Sequence, residues 1–420
     1  MKLVIFEDSR FEDFYPLALS RAVFELKCGW HSLAEKIERQ YATSAIGYFC
    51  REWLAEVVKR RLERPVNDVS FLAGDDLLIV NGRVLCNDYA LPRAGPSERG
   101  VTAKGDLVYL RLEKKDVPEN VASLDDLIGK ANAKQVTVQA PMAKHAWDLM
   151  LANGAGLAAD FQAAGRYGVN GTIEEPHAVR GPKDRLYVGK DVTIHPFVCI
   201  DVTGGPVYIE EGAEVHPYTR IEGPAYIGPK SLLLGAKLRE GCTIGPECRV
   251  GGEVEESIIH GYSNKYHDGF LGHAYVGEWV NLGALTTNSD LKNDYTSVEV
   301  MLNGRTIDTG STKVGAMIGD HTKTSIGTLF NTGAVVGSMC LLMATGQPLP
   351  KSIPSFAWLV NGVITKGFGK RALYATAKTA MSRRKVTWTE VDEALWDKVF
   401  ELTAEERGAA IKRRRKPVAR

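Results

Sequence analysis

Aliphatic residues recur at every sixth position through the middle of the chain. Val188, Ile194 and Ile200 open the series, followed by Val215, Ile221 and Ile227 and then by Leu238, Ile244 and Val250. Val276 and Leu282 keep the beat, and it returns at Ile318, Thr324, Phe330, Val336 and Leu342. A six-residue period matches neither the helical repeat nor the alternation of an ordinary strand. Short strands stacked as rungs of a prism, by contrast, place one aliphatic side chain per turn inside. Glycine often follows the apolar position, as at Gly189, Gly228, Gly245 and Gly337, where the chain bends with little room for a side chain. The pattern predicts a parallel β-helix of hexapeptide repeats over residues 167–345.

The flanks obey other periods. Residues 1–140 alternate apolar runs at Leu3 to Phe6, Leu77 to Val80 and Leu107 to Leu110 with helical stretches at His31 to Gln40 and Glu52 to Glu63. This alternation predicts an α/β, Rossmann-like domain. Residues 141–166 are alanine-rich and read as a helical linker. Residues 346–420 turn to helical spacing, at Lys370 to Arg384 and Thr389 to Leu402, and end in the basic run Lys412 to Lys416, by default a solvated terminus.

Composition narrows the function classes. Fifty-two basic residues face 51 acidic ones, so no global field argues for a nucleic-acid partner. Seven cysteines without a CxxC pair read as reduced thiols in a cytoplasmic protein rather than a disulfide frame. No apolar run is long enough for a leader or a span, so no membrane is expected among the partners.

The stretch from Ile258 to Asn293 interrupts the beat and carries His260, His267 and His273, with Lys265, Asp268, Asn281, Asn288 and Asn293. A loop projecting from a β-helix can meet a neighbouring prism and form a cleft there. His267, in the turn-like YHDG, reads either as a general base or as an exposed loop histidine. Asn281, in VNLGA, reads as a donor to a sugar or as part of an internal asparagine ladder. The three histidines also admit a metal site, although no close histidine pair supports it.

GYSNKYHDGFLGH followed by VGEWVNLGA and NSDLKN closely resembles the acetyltransferase loop of the bifunctional nucleotidyltransferase and acetyltransferase family that makes UDP-N-acetylglucosamine. With Phe6-Glu7-Asp8, Arg10, Pro16-Leu17, Arg21 to Leu26 and the run LLIVNGRVLCND, the chain is similar to a divergent bacterial branch with a shortened first domain. The resemblance implies a nucleotidyltransferase-like first domain, a left-handed parallel β-helix and a homotrimer with its acyl site between prisms. It implies acetyl transfer from acetyl-CoA to glucosamine 1-phosphate or a related amino sugar. Nucleotidyl transfer from a nucleoside triphosphate, UTP by analogy, to the sugar 1-phosphate is implied as well.

Residue by residue, the resemblance makes His267 the catalytic base. Asn281, Lys265 and Asp290 become substrate contacts, and Ala284 and Ser338 contacts to acetyl-CoA, with the Ala284 N–H facing the thioester oxygen. In the first domain it makes Arg10, Arg21 and Asn81 nucleotide contacts, with Asp88, or else Asp8, holding Mg2+. The chain departs from the pattern in several places. Glu255 meets a phosphate-binding lysine, Phe270 a tyrosine and Asp290 an asparagine, which leaves Lys265, Lys292 or Arg249 to replace the lost charge. EDSRFED lacks the glycines of a phosphate loop, and Asn81-Gly82-Arg83 stands where a metal-binding aspartate is usual. An acyltransferase with a degenerate first domain, and a non-catalytic trimeric scaffold, remain open alternatives.

Overall fold

The computed structural model describes residues 1–42 and 45–413, so the end of the basic run, residues 414–416, lies outside the described residues. The chain divides into two compact units, the first formed by residues 1–14, 20–26 and 31–144 and the second by residues 15–19, 27–30 and 145–420.

The first unit is built on a six-stranded sheet in the order Ile46–Phe49, Lys2–Phe6, Leu77–Asn81, Leu107–Leu112, Glu98–Val101, Lys134–Thr137. The first three strands are parallel, Phe6 standing opposite both Phe49 and Asn81, whereas Leu107–Leu112 runs antiparallel to Leu77–Asn81. Val4, Ile79, Leu110 and Leu127 are fully buried in one cluster. The parallel strands LVIF and LLIV are continuous apolar runs because helices cover such sheets on their faces. Helices Leu33–Glu38, Ala55–Leu62 and Leu124–Lys130 complete the α/β unit.

In the second unit, helices Ala146–Leu151 and Asn153–Ala164 precede a parallel β-solenoid of about 11 turns. One face stacks ten short strands, from Gly168–Val169 to Ser352–Ile353. The six-residue series forms its core: Val188, Ile194, Ile221, Ile244, Val250, Ile318 and Val336 are fully buried in a single cluster. Corners are turned by residues with positive φ that are often not glycine, including Phe197, Tyr218, His273 and Trp279. Buried hydroxyls of Ser231, Ser263 and Thr322 donate to the carbonyls of Gly245, Gly277 and Gly337, filling the polar needs of the turns from inside.

Helices Lys370–Ser382, Glu390–Leu402 and Ala404–Arg413 follow the last rungs. Arg407 lies over the Phe400 ring at 3.9 Å, and Trp396 stands edge-on to His321 at 5.4 Å. No helix among the described residues is long and apolar enough to cross a membrane.

The expectation that Ile258–Asn293 leaves the coil needs correction. Strands Ile258–Gly261, Asn264–Lys265, Phe270–Gly272, Tyr275–Glu278 and Thr287–Asn288 keep it on the rungs. The departure comes later, where residues 299–308 form an antiparallel hairpin. The beat looks broken because polar residues occupy inward slots. Lys265 stands in register with the core residue Val250, and Asn288 with Phe330. Asn288 meets its polar needs through Gly272, accepting from the N–H at 2.9 Å and donating to the carbonyl at 2.9 Å.

Candidate active site

His267 sits at an exposed corner between the strands Asn264–Lys265 and Phe270–Gly272. Tyr266 stands edge-on to its ring at 5.1 Å. Beneath the corner, the buried Lys265 ammonium donates to the carbonyls of Gly251 at 2.8 Å and His267 at 2.9 Å. Burial pushes the Lys265 ammonium down to about 8, and its two carbonyl bonds make it a strut inside the turn.

The next rung carries Asn281 in register with Asn264, which sets Ala284 against His267. Leu285 N–H donates to the Asp268 carbonyl at 2.8 Å and fixes that stacking. Asn281 is exposed and lines a cavity of about 570 Å³ with Tyr262, Asn264, Trp279, Lys323, Arg383 and Arg384. Tyr262 and Trp279 stack at 4.4 Å to form an aromatic wall. Arg384 donates to the Asn264 side-chain oxygen at 3.1 Å, and burial together with neighbouring Arg249 depresses its basicity. Lys323 donates to the carbonyls of Trp279 and His321, and burial pushes it down to about 7.

A charged cluster lies one corner on. His273, 3% exposed, is held between Asp290 at 2.8 Å and Glu256 at 3.0 Å. Burial alone would lower its basicity; the two carboxylate hydrogen bonds outweigh that and push it up to about 9. Asp290 therefore serves His273, and its carboxyl is held below the usual range, burial being offset by the His273 bond. Glu255, in place of the family lysine, pairs with Arg239 at 2.7 Å and Lys313 at 3.3 Å. These two residues bring the cations to this position. Lys265 is spent inside the coil, and Lys292 bonds Thr296 on the excursion.

In the first unit, Arg10 and Asn81 meet at Asp8. Asn81 donates to the Asp8 carboxylate at 2.8 Å and the Arg10 backbone N–H does so at 3.2 Å, while the Arg10 guanidinium pairs with Asp13 at 3.0 Å. Arg83, 2% exposed at its side chain, grips both Asp8 at 2.6 Å and Asp106 at 3.1 Å. Burial works against ionisation of Asp8, yet the Arg83 and Asn81 bonds leave its carboxyl below the usual range. Mg2+ requires hard oxygen ligands in octahedral order, so a guanidinium clamped on both carboxylates does not fit a resident magnesium ion here. Asp88 is exposed and belongs to none of these pairs. Arg21 is buried, and its carbonyl accepts from Arg51, which pairs with buried Glu7 at 2.7 Å.

Residues 3–166 match the family of sugar nucleotidyl transferases. A bifunctional sugar-1-phosphate nucleotidylyltransferase/acetyltransferase of Sulfurisphaera tokodaii is 36% identical over 146 residues, 32% of this chain and 34% of that protein. The bifunctional protein GlmU of Jannaschia sp. is 34% identical over 128 residues, 28% of this chain and 26% of that protein. GlmU of Nitrosospira multiformis is 28% identical over 205 residues, 42% of this chain and 43% of that protein. Over these matched segments the chain is similar to bifunctional sugar-1-phosphate nucleotidylyltransferase/acetyltransferases, at a divergent level of identity. Its alignments span between about a quarter and somewhat under half of the length of these relatives.

Among the residues that the GlmU-like resemblance singles out, His267 and Ala284 come together at one corner, while Asn281 faces the neighbouring cavity. Ser338 does not join them: it is fully buried, and its hydroxyl has no hydrogen-bond partner inside the turn. His260 pairs with Glu278 at 3.1 Å and His273 with Asp290 and Glu256, so the three histidines do not converge on one ion. Sequence reasoning missed Trp279, Lys323 and Arg384. Lys323 shares a column with Asn281, a register that the six-residue beat could have revealed; the approach of Arg384 depends on how the helix packs, which no local pattern encodes.

Proposed function

We propose that the solenoid transfers acetyl from acetyl-CoA to the amine of an amino sugar phosphate, glucosamine 1-phosphate by analogy, and that the first domain couples the sugar 1-phosphate to a nucleotide, UTP by analogy. The stacking of exposed His267 on the Ala284 corner carries this reading. An amine attacks a thioester only when neutral; the His267 imidazole takes its proton as the tetrahedral centre forms and returns it to the CoA thiolate, which leaves as that centre collapses and the C–S bond breaks. The Ala284 N–H stabilises the developing oxyanion without a side chain in the way. Asn281 orients the sugar by hydrogen bonding, and Arg383 and Arg384, in the same cavity, supply positive charge for a phosphorylated ligand.

In the first domain Arg10 contacts the triphosphate by side-chain charge, replacing the backbone cradle of a glycine loop. The protein works in the cytoplasm as a homotrimer in which the His267 corner meets a neighbouring prism. The Arg83 clamp on Asp8 and Asp106 favours a second reading, acyl transfer alone with a first domain that has lost its metal chemistry.

Pure protein incubated with acetyl-CoA and a panel of amino sugar phosphates, with and without nucleoside triphosphate and Mg2+, tests both readings by product mass. Pyrophosphate release separates the bifunctional reading from the acyltransferase alone. No acetylated product from any acceptor would overturn both.

A further inference from the structure

Three side chains converge on early rungs of the solenoid, well before the His267 corner in sequence. The strands Thr172–Ile173, Thr193–Ile194 and Glu214–Val215 stack in parallel, with Ile173, Ile194 and Val215 in register. The residue following each strand is therefore Glu174, His195 and His216, a vertical column, with Glu214 beside it.

The distances in this column suit a metal ion. His195 Nε2 lies 3.0 Å from Glu214 Oε1, and His216 Nε2 lies 3.2 Å from the same oxygen. All three donors fall within 4.8 Å of one another, and no other group of at least three histidine, cysteine or carboxylate side chains does so among the described residues. Bonds of roughly 2.0–2.1 Å in a tetrahedral zinc site put neighbouring donors about 3.3 Å apart, so these two separations need little adjustment. Behind His195, Nδ1 lies 3.1 Å from the Glu174 carboxylate. That is the carboxylate–histidine arrangement that fixes the tautomer of a metal-binding imidazole.

We propose that His195, Glu214 and His216 bind one zinc-class divalent cation, with Glu174 orienting His195 and the fourth position open to solvent. Two imidazoles and one carboxylate select zinc, cobalt or nickel over magnesium, which prefers oxygen alone. The ligands come from two adjacent turns and the orienting carboxylate from a third. A bound ion therefore staples the first turns of the coil, near the end where the rung stack begins.

Metal-stripped full-length protein titrated with Co2+ tests the site. The expected result is one Co2+ per chain with visible d–d bands and no thiolate-to-cobalt charge-transfer band, together with a rise in thermal midpoint on adding Zn2+ by mass action. His195→Ala, His216→Ala and Glu214→Gln each abolish both effects, and Glu174→Gln weakens metal affinity by about 10–100-fold. His267→Ala, used as a control, leaves metal binding unchanged. Circular dichroism verifies that each variant is folded. Failure of the wild type to bind at micromolar metal, unchanged stoichiometry in the folded His195→Ala/His216→Ala variant, or a thiolate band overturns the proposal.

Discussion

The Lys265 ammonium, buried in a slot that Val250 fills with a methyl-branched side chain one turn earlier, donates to the His267 carbonyl at 2.9 Å. The strut ties the exposed corner to the coil interior, because the same nitrogen also holds the Gly251 carbonyl. Lys265→Met keeps the apolar stem and removes both bonds, at a cost of about 1–3 kcal/mol for the carbonyls left unmet. Acetyl transfer is expected to fall about tenfold with little change in KM, since a small displacement of a reacting group is felt in kcat. Steady-state kinetics checks this, and combination with His267→Ala should add almost nothing further, because the strut acts only through that ring.

His267 itself has a simpler expectation. Its ring is exposed, so His267→Ala should leave unfolding free energy within about 0.5 kcal/mol of wild type. General-base assistance contributes about 10²–10⁴-fold, so acetyl transfer should drop at least a hundredfold. Near-wild-type acetylation by the folded variant would remove His267 from the reaction.

The six-residue beat was sufficient to read the solenoid, because one inward aliphatic per rung is a constraint that local sequence states openly. The same rule misled at Lys265 and Asn288, where polar side chains fill inward slots by bonding carbonyls that only the folded turns bring close. The exposed bend at His267 was legible in the turn-like YHDG. The pairing of Glu255 with Arg239 and Lys313 was not, since those cations come from 16 and 58 residues away. Arg384 on Asn264 spans 120 residues, a distance over which no periodicity survives.

In the first domain Arg83 and Arg10 should separate structure from substrate. Arg83 is buried on two carboxylates, so Arg83→Ala leaves charge unpaired and should cost about 3–5 kcal/mol, read by urea unfolding. Arg10 has a side chain 39% exposed. Arg10→Ala should change stability by less than about 1 kcal/mol while depressing pyrophosphate release and sparing acetylation. Equal loss of both activities would mark Arg10 as structural.

His273 supplies a pH dependence whose sign can be worked out. Its ordinary value of 6.5 rises to about 9 in the fold, where Asp290 and Glu256 hold the imidazolium. Below the unfolded value both states are charged, and the stabilisation is fully present. As pH rises towards about 9 the unfolded state sheds its proton first, so the contribution declines across this window and is lost above it. Lys265 and Lys323 act oppositely: their folded values, about 8 and about 7, lie below the unfolded 10.5, so their contributions grow as pH rises through those ranges. The windows overlap, and the wild-type curve alone cannot reveal His273. Subtracting the unfolding free energy of His273→Gln, measured from pH 6 to 9.5 in urea, cancels the lysines and leaves the histidine. The difference should be largest at the acid end and shrink steadily towards the alkaline end. A flat difference would mean that the His273 imidazole is not held charged between its two carboxylates.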